Sequence, residues 1–264
     1  MLKAQEIIDF FNNWAPQPYA EDWDNVGLIL GDPTQQVKKI LVALDATNAV
    51  VDEAIAGNFD FLITHHPIIY NPISRITTSD IIGNKIIKLL KNGIGCFCAH
   101  TNLDKAVGGV SDCLARKIGL ENTTPLIPDA DDSIGIGRVG FLPSEICFLE
   151  FFLQLKKTLG MDLLRFCGDE KKPVRKIALC GGDGSGNRYV EAAIKQNCDV
   201  YITGDLRYHS AQDAVEQGLS LVDITHYAGE VLIVDEIVSQ LANSFGSCNV
   251  EILASLMDGQ VFKK

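Results

Sequence analysis

Histidine is scarce in this chain, and positive charge is in deficit. Five histidines occur in 264 residues, and 23 lysines and arginines face 34 aspartates and glutamates, for a formal net charge of −11. That balance argues against broad binding to nucleic acid backbones, where clustered lysine and arginine must displace counterions. No dense basic run offsets it. Long apolar runs are missing too: none reaches the roughly 18 residues of a membrane span, so no membrane partner is expected. The opening "MLKAQEIIDFFNNWAP" lacks a basic region followed by a continuous apolar run, the order a signal peptide needs. Its apolar residues Leu2, Ile7, Ile8, Phe11 and Trp14 follow helical spacing and predict an amphipathic first helix. The expected location is the cytoplasm.

Two further absences narrow the chemistry. None of the eight cysteines forms a C-x-x-C pair. "CFC" puts Cys96 and Cys98 on one face of a strand, where two small buried hydrophobes are favoured over a soft metal site. The glycine-rich "GGDGSG" (181–186) lacks the Gly-Lys-Ser/Thr ending of a P-loop and does not match G-x-G-x-x-G. It follows a strand and opens a helix near Asn187. It therefore reads either as a tight turn or as an amide cradle for an anion, with Gly182 and Gly184 as candidate substrate-binding positions.

What is present belongs to an ordinary globular protein. Hydrophobic residues make up 47% and charged ones 22%, enough for one large domain or two modest ones with cores of their own. Strands are predicted at 26–30, 39–44, 60–64, 94–99, 176–180, 199–203 and 219–224, with amphipathic helices between several of them. The helix expected over 79–92 has Ser79 as its N-cap and Gly93 as its stop. This alternation points to the α/β class with a largely parallel sheet. The stretch 121–137, rich in Pro, Asp, Ser and Gly, is expected to separate two lobes. The first would comprise 1–123 plus 225–264 and carry the metal site; the second would be 124–224.

The chain also repeats itself. "VDEAIAGNFDFLIT" (51–64) aligns without gaps on "VEAAIKQNCDVYIT" (190–203), with seven of the fourteen positions identical. Any two strand–helix–strand units share such a pattern, but identity at Asn58/Asn197 and Asp60/Asp199 favours a duplicated unit. In that alignment His65 and His66 correspond to Gly204 and Asp205.

Two of the five histidines stand together at the end of "DFLITHHP". Inside a strand, neighbouring side chains face opposite ways. At a strand end before Pro67 both imidazoles can turn toward one pocket or toward two nearby metals, and sites in open parallel sheets gather at such ends. Further ligand candidates also follow strands. Asp104 lies in "AHTNLD", and His226 and Glu230 in "THYAGE" are four apart, one turn of helix. Three imidazoles and two carboxylates suit Zn, Fe, Mn or Co better than Ca or Mg. Five ligands exceed the needs of one open tetrahedral ion, which suggests a dinuclear centre with a bridging carboxylate.

The motifs "WDNVGLILGD", "ITHHP", "AHTNLD", "GGDGSG", "ITGDLRYH" and "THYAGE" run in order from Trp23 to Glu230. Together they resemble the Nif-three-like family of dinuclear-metal proteins, many of whose members are labelled GTP cyclohydrolase 1 type 2 homologues. The resemblance implies His65, His66, Asp104, His226 and Glu230 as ligands of two divalent ions, with Glu230 as the bridge. It implies two related α/β lobes with mixed or mostly parallel sheets. It also implies a toroidal homohexamer, a trimer of dimers, with its metals facing an internal cavity. The exposed apolar ends of helices such as that over 231–241 are expected to supply contact surface for that assembly.

Two metal ions favour hydrolysis, by acidifying a shared water and stabilising charge on a substrate oxygen. The expected function is a metal-dependent hydrolase of a nucleotide-like or phosphorylated small molecule. The alternative is a non-enzymatic ring that binds a protein or single-stranded nucleic acid. His100 and His209 are candidates for proton transfer, and Asp205 and Arg207 for substrate contact. Trp23, Asp24 and Asn25 read either as a loop packed near the site or as a mere turn.

Overall fold

Short apolar stretches bounded by turn residues form the strands of this protein, and several of the helices between them start on side-chain caps. The computed structural model describes residues 1–162 and 164–262. It divides into two units, Met1–Leu103 with Ile233–Gly259, and Asp104–Leu232 with the segment from Gln260.

In the first unit, β1 (Leu2–Lys3) precedes α1 (Ala4–Trp14), whose Ile7 and Phe11 are buried as the helical spacing requires. Leu2 is buried from β1, which pairs antiparallel with β3 (Gln36–Val37). A five-stranded sheet comprises β2 (Gly27–Leu30), β4 (Lys39–Ala43), β5 (Phe61–Thr64), β6 (Gly95–Cys98) and β13 (Glu251–Ala254). Its order is β13-β4-β5-β6-β2, parallel except for the antiparallel edge strand β2. The helix α2 (Asn48–Ala56) is capped by Thr47, whose Oγ1 accepts from the Val50 amide at 3.2 Å. The cap of α3 (Ile81–Lys91) is Asp80, one residue after the expected Ser79, because its carboxylate reaches the Gly83 amide at 2.7 Å. Gly93 then leaves the helix at φ +68°. Leu41, Val51, Ala54, Leu62, Ile86 and Leu89 form part of a shared core. Full burial of an aliphatic side chain of this size contributes roughly 1.5–3 kcal/mol. The helix α10 (Leu232–Phe245) buries Ile233, Val234, Ile237 and Leu241. Those four residues serve the core, while Leu232 and Val238 stay partly exposed.

The chain enters the second unit through α4 (Thr101–Lys105) and continues with α5 (Val110–Lys117). There follow β7 (Glu121–Pro128), β8 (Gly135–Cys147), α6 (Phe148–Leu159), β9 (Arg165–Cys167) and β10 (Pro173–Leu179). The unit closes with α7 (Asn187–Lys195), β11 (Val200–Thr203), α8 (Tyr208–Glu216), β12 (Ser220–Asp223) and α9 (His226–Glu230). The sheet order is β7-β8-β10-β11-β12-β9, with β10, β11 and β12 parallel and the flanking pairs antiparallel. The fold is thus mixed α/β.

The stretch 121–137 is not a linker. It forms β7 and the start of β8, an antiparallel pair joined by a turn in which Asp131 accepts from the Ser133 amide at 2.9 Å. As the edge of its sheet, β7 tolerates Pro125, Pro128 and four exposed residues that a central strand would not. The unit boundary falls instead after Leu103, because Leu114 and Ala115 of α5 pack in one core with Phe148, Phe151 and Ile177. At its far end the second unit runs to Leu232, not to residue 224. Asp104, His226 and Glu230 consequently belong to the second unit, and His65 and His66 to the first.

Candidate metal centre

The first unit draws three imidazoles together at the ends of two parallel strands. Pairing with the neighbouring strand persists just past β5, where the His65 and His66 amides donate to Ala43 and Leu44 carbonyls at 3.3 and 3.0 Å. The Thr64 hydroxyl then donates to the His66 carbonyl at 2.8 Å, fixing the turn before Pro67. Freed from strand alternation, the two rings come within 5.0 Å of each other. His100, two residues beyond β6, brings its ring within 5.1 Å of His65 and 5.4 Å of His66. One ligand atom from each of the three lies within 4.8 Å of the others.

Each ring has its proton placed by an acceptor on the far side. His65, fully buried, holds Nδ1 2.8 Å from the Ala99 carbonyl. His66 Nδ1 is 2.8 Å from Asp45 Oδ1, and His100 Nδ1 is 2.8 Å from Asp24 Oδ1. A carbonyl or carboxylate only accepts, so Nδ1 carries the hydrogen in each ring and Nε2 presents its lone pair. This is the outer arrangement that metal-ligating histidines adopt. Asp24 also accepts from the Thr101 amide at 3.0 Å and from the Thr101 hydroxyl. Burial alone would raise its carboxyl, but hydrogen bonds from His100 and Thr101 outweigh that and hold it at about 2. Asp45 carried no signal in the sequence. It is one acidic residue among 34, and only the approach of β4's end to His66 gives it a role.

The second unit holds an imidazole and two carboxylates of its own. Thr225, at φ +68°, begins α9 and accepts from the Ala228 amide. The helix places His226 Nε2 3.1 Å from Glu230 Oε2, as i,i+4 spacing requires. His226 Nδ1 lies 2.8 Å from Asp205 Oδ2, so Asp205 orients this ring as Asp45 orients His66. Carboxylate oxygens of Asp104 and the buried Glu230 come within 4.8 Å of one another. Those two charges, after burial, push the Cys180 thiol upward.

Glycines make room for this cluster. A Cβ at Gly182 would meet Glu230 Oε1 at 2.1 Å, and φ there is +62°. One at Gly204 would meet the His226 amide nitrogen at 2.6 Å. Gly182 thus lies against the Glu230 carboxylate. The Gly184 amide donates to Thr203 Oγ1 at 2.9 Å and the Ser185 amide to Asp183 at 3.1 Å, so both N–H groups are used within the turn. Arg207 Nη2 stands 3.3 Å from Asp183 Oδ2, both side chains being exposed. His209, exposed on α8, meets the Tyr208 ring at 5.2 Å. Among the described residues it joins none of the groups able to share an ion. Cys96 lies in the apolar core with its thiol pushed up to about 12 by burial, and the Cys98 thiol donates to the His65 carbonyl at 3.0 Å. Both behave as buried thiols, not as thiolate ligands.

In each unit the donor set fits divalent metal: three histidines with placed Nδ1 protons in the first, and His226 with the carboxylates of Asp104 and buried Glu230 in the second. A family model described as Duf34/NIF3 (NGG1p interacting factor 3) matches residues 2–259. A protein of Clostridium perfringens named GTP cyclohydrolase 1 type 2 homolog is 37% identical over 257 residues, covering 96% of each chain. The solved structure of a Bacillus cereus protein related to NIF3 superposes with a TM-score of 0.94 at 28% identity, covering 100% of this chain and 99% of that one. Reduced HcgD from Methanocaldococcus jannaschii does so with a TM-score of 0.83 at 34% identity, covering 97% and 98%. A match spanning both units, from Leu2 to Gly259, leaves no part of the candidate site outside it, and the chain belongs to the Duf34/NIF3 family.

Proposed function

We propose that this protein binds two divalent metal ions through His65, His66, Asp104, His226 and Glu230, with Glu230 shared. On this reading it is a metal-dependent hydrolase of a phosphorylated or nucleotide-like small molecule. The observation that carries the proposal is the placed Nδ1 proton of His65, His66 and His226, each held by an acceptor 2.8 Å away. Zn, Fe, Mn or Co suits such a mixture of imidazole and carboxylate. When bound, ions of this kind activate water and offset negative charge on substrate oxygens.

The chain's own groups do the rest. His100, its Nδ1 proton held against Asp24, presents Nε2 to accept and return a proton beside the ligand histidines. Asp205 keeps the His226 ring oriented, and Gly182 leaves space for the Glu230 carboxylate. Arg207 offers a cation to an anionic substrate group, and His209 is a second candidate for proton transfer. The name shared by the curated relatives, a cyclohydrolase homologue, favours a nucleotide-like substrate.

A second reading, a ring that binds a partner without chemistry, draws on the family's description as an interacting factor. The net charge of −11 favours a protein partner there over single-stranded nucleic acid. Assembly as a homohexamer, a trimer of dimers, belongs to both readings. So does a cytoplasmic location. No helix of the described residues is long and apolar enough to cross a membrane.

Elemental analysis of metal-reconstituted protein should approach two equivalents per chain. The loaded protein should hydrolyse at least one member of a panel of nucleotides and phosphoesters. Failure to retain any divalent ion overturns the metal reading, and full loading without activity across the panel favours the partner-binding one. Light scattering should give a mass near six chains, and a stable monomer at micromolar concentration would remove the ring.

A further inference from the structure

Two large aromatic side chains of the first unit stay in solvent beside the three imidazoles. Trp23 is 55% exposed and Tyr70 is 53% exposed, although this chain buries Phe11, Phe61, Phe97 and Phe148 almost completely. Their ring centroids are 5.6 Å apart, tilted by 54°. Each also meets His100, Trp23 edge-on at 6.1 Å and Tyr70 edge-on at 6.5 Å. Two adjacent exposed aromatics of this size cost the fold apolar burial and mark a surface built for contact.

The pair is held in place from below. Asp24, next to Trp23, has a buried carboxylate bound to His100 and to Thr101. The Glu21 amide donates to Thr101 Oγ1 at 2.9 Å. Asn25 Nδ2 donates to the Ile69 carbonyl at 2.7 Å, tying the loop of Trp23 to the loop of Tyr70. A platform fixed before binding loses little freedom when a ligand arrives.

We propose that Trp23 and Tyr70 form a stacking platform for a planar heteroaromatic ring, so that the ligand of this site is a phosphorylated compound bearing a nucleobase-type ring and not a bare sugar phosphate. Every base has a π-face, and stacking on aromatic side chains tolerates differences in base identity. The platform adjoins His100, so a ring lying on it would put an attached phosphoryl-bearing group within reach of the imidazoles. The proposal deepens the hydrolase reading and rests on it for the fate of the ligand, though not for ring binding itself.

The test uses the full zinc-loaded chain. Trp14 and Trp23 are its two tryptophans, so Trp14→Phe leaves Trp23 as the sole indole reporter. Guanosine and uridine 5′-monophosphates should both quench its fluorescence saturably, and ribose 5-phosphate should not. Measured by calorimetry, Trp23→Ala and Tyr70→Ala should weaken nucleotide binding roughly ten- to hundredfold, the range of a lost stacking contact. Metal content and ribose 5-phosphate affinity should stay unchanged. Trp23→Phe, which keeps a ring, should recover most of the loss. Absent quenching, or alanine variants that bind nucleotide as the parent does, overturns the platform. So does saturation by tetramethylammonium in place of the nucleotides, which would make the pair a cation cage, or a fall in assembly mass in Trp23→Ala, which would make it a subunit contact. Quenching without hydrolysis of any nucleotide retires the hydrolase and leaves the platform standing. Hydrolysis of ribose 5-phosphate as fast as of nucleotides, with no dependence on Trp23, does the reverse.

Discussion

The two copies of the internal repeat are built alike and end differently. In β4–α2–β5, Asp60 Oδ2 accepts from the Lys38 and Lys39 amides at 2.7 and 2.9 Å. In β10–α7–β11, Asp199 Oδ2 accepts from the Arg175 and Lys176 amides at 2.9 and 2.8 Å. Asn58 and Asn197 both turn out of the helix in the left-handed region, at φ 53° and 55°. Thr64 and Thr203 accept at their carbonyls from Ala99 and Ile224, each on the next strand's exit. Past this point the copies diverge. The first presents His65 and His66, whereas the second presents Gly204 and Asp205, one making room for α9 and the other orienting His226. The polar identities shared by the copies thus serve the backbone, and the positions that differ belong to the candidate metal centre.

The strongest way to break that division is at the strand ends. Glu230→Ala should lose most of both proposed ions, and His226→Ala should lose metal and activity together. Elemental analysis checks both, and two tightly held ions in Glu230→Ala would refute the shared ligand. His209→Ala should instead keep its metal and lower turnover by about 10²–10⁴-fold, the usual weight of a general acid or base. If His209→Ala empties the site while His226→Ala leaves it full, the two roles have been exchanged.

Scaffold changes should show up as stability. Asp60→Ala and Asp199→Ala each leave two backbone amides without their carboxylate, at a cost of about 1–3 kcal/mol in urea unfolding. Equal sensitivity of the two copies is the expected result; a loss confined to one would show that the shared aspartate does different work in each.

The loop beneath His100 adds a pH signature. Asp24 is held at about 2, below its ordinary 3.8, so the folded state binds this proton more weakly than the unfolded chain. Its contribution is therefore complete above about pH 4 and is lost as pH falls toward 2. Asp24→Asn should flatten the acid limb of a stability–pH curve over that window. An unchanged limb would show that Asp24 is not the group responsible.

The smallest effects belong to the helix exits. Asn58→Gly and Asn197→Gly should shift stability by only a few tenths of a kcal/mol, since glycine accepts positive φ freely, whereas alanine at either site should cost about 1 kcal/mol. A large loss in either glycine variant would mean that the asparagine side chain is needed in its own right.

The local patterns of the candidate site were legible in the sequence. A histidine pair ahead of proline, and a His–Glu pair at helical spacing, are local patterns whose geometry follows from strand and helix periodicity. The seven predicted strands, β2, β4, β5, β6, β10, β11 and β12, were legible for the same reason, as was the repeat, whereas β1, β3, β7, β8, β9 and β13 were not. The partition of the chain was not. A composition rich in proline and aspartate suits both a linker and an edge strand, and only the pairing of β7 with β8 separates them. The cap of α3 was misplaced by one residue because Ser79 and Asp80 are both good caps, and local contacts with Gly83 choose between them.

Sequence alone determined the donor chemistry of this protein: which residues can ligate, how far apart they lie along the chain, and which end of each strand they occupy. Tertiary structure decided which acceptor holds each Nδ1 proton. Asp45 for His66, Asp24 for His100 and Asp205 for His226 are 21, 76 and 21 residues from the ring they orient. Tertiary structure also left Trp23 and Tyr70 exposed side by side, 47 positions apart in the chain. Local periodicity reaches only a few residues along the chain, and contacts at these separations exist only once the sheet has set its strand order.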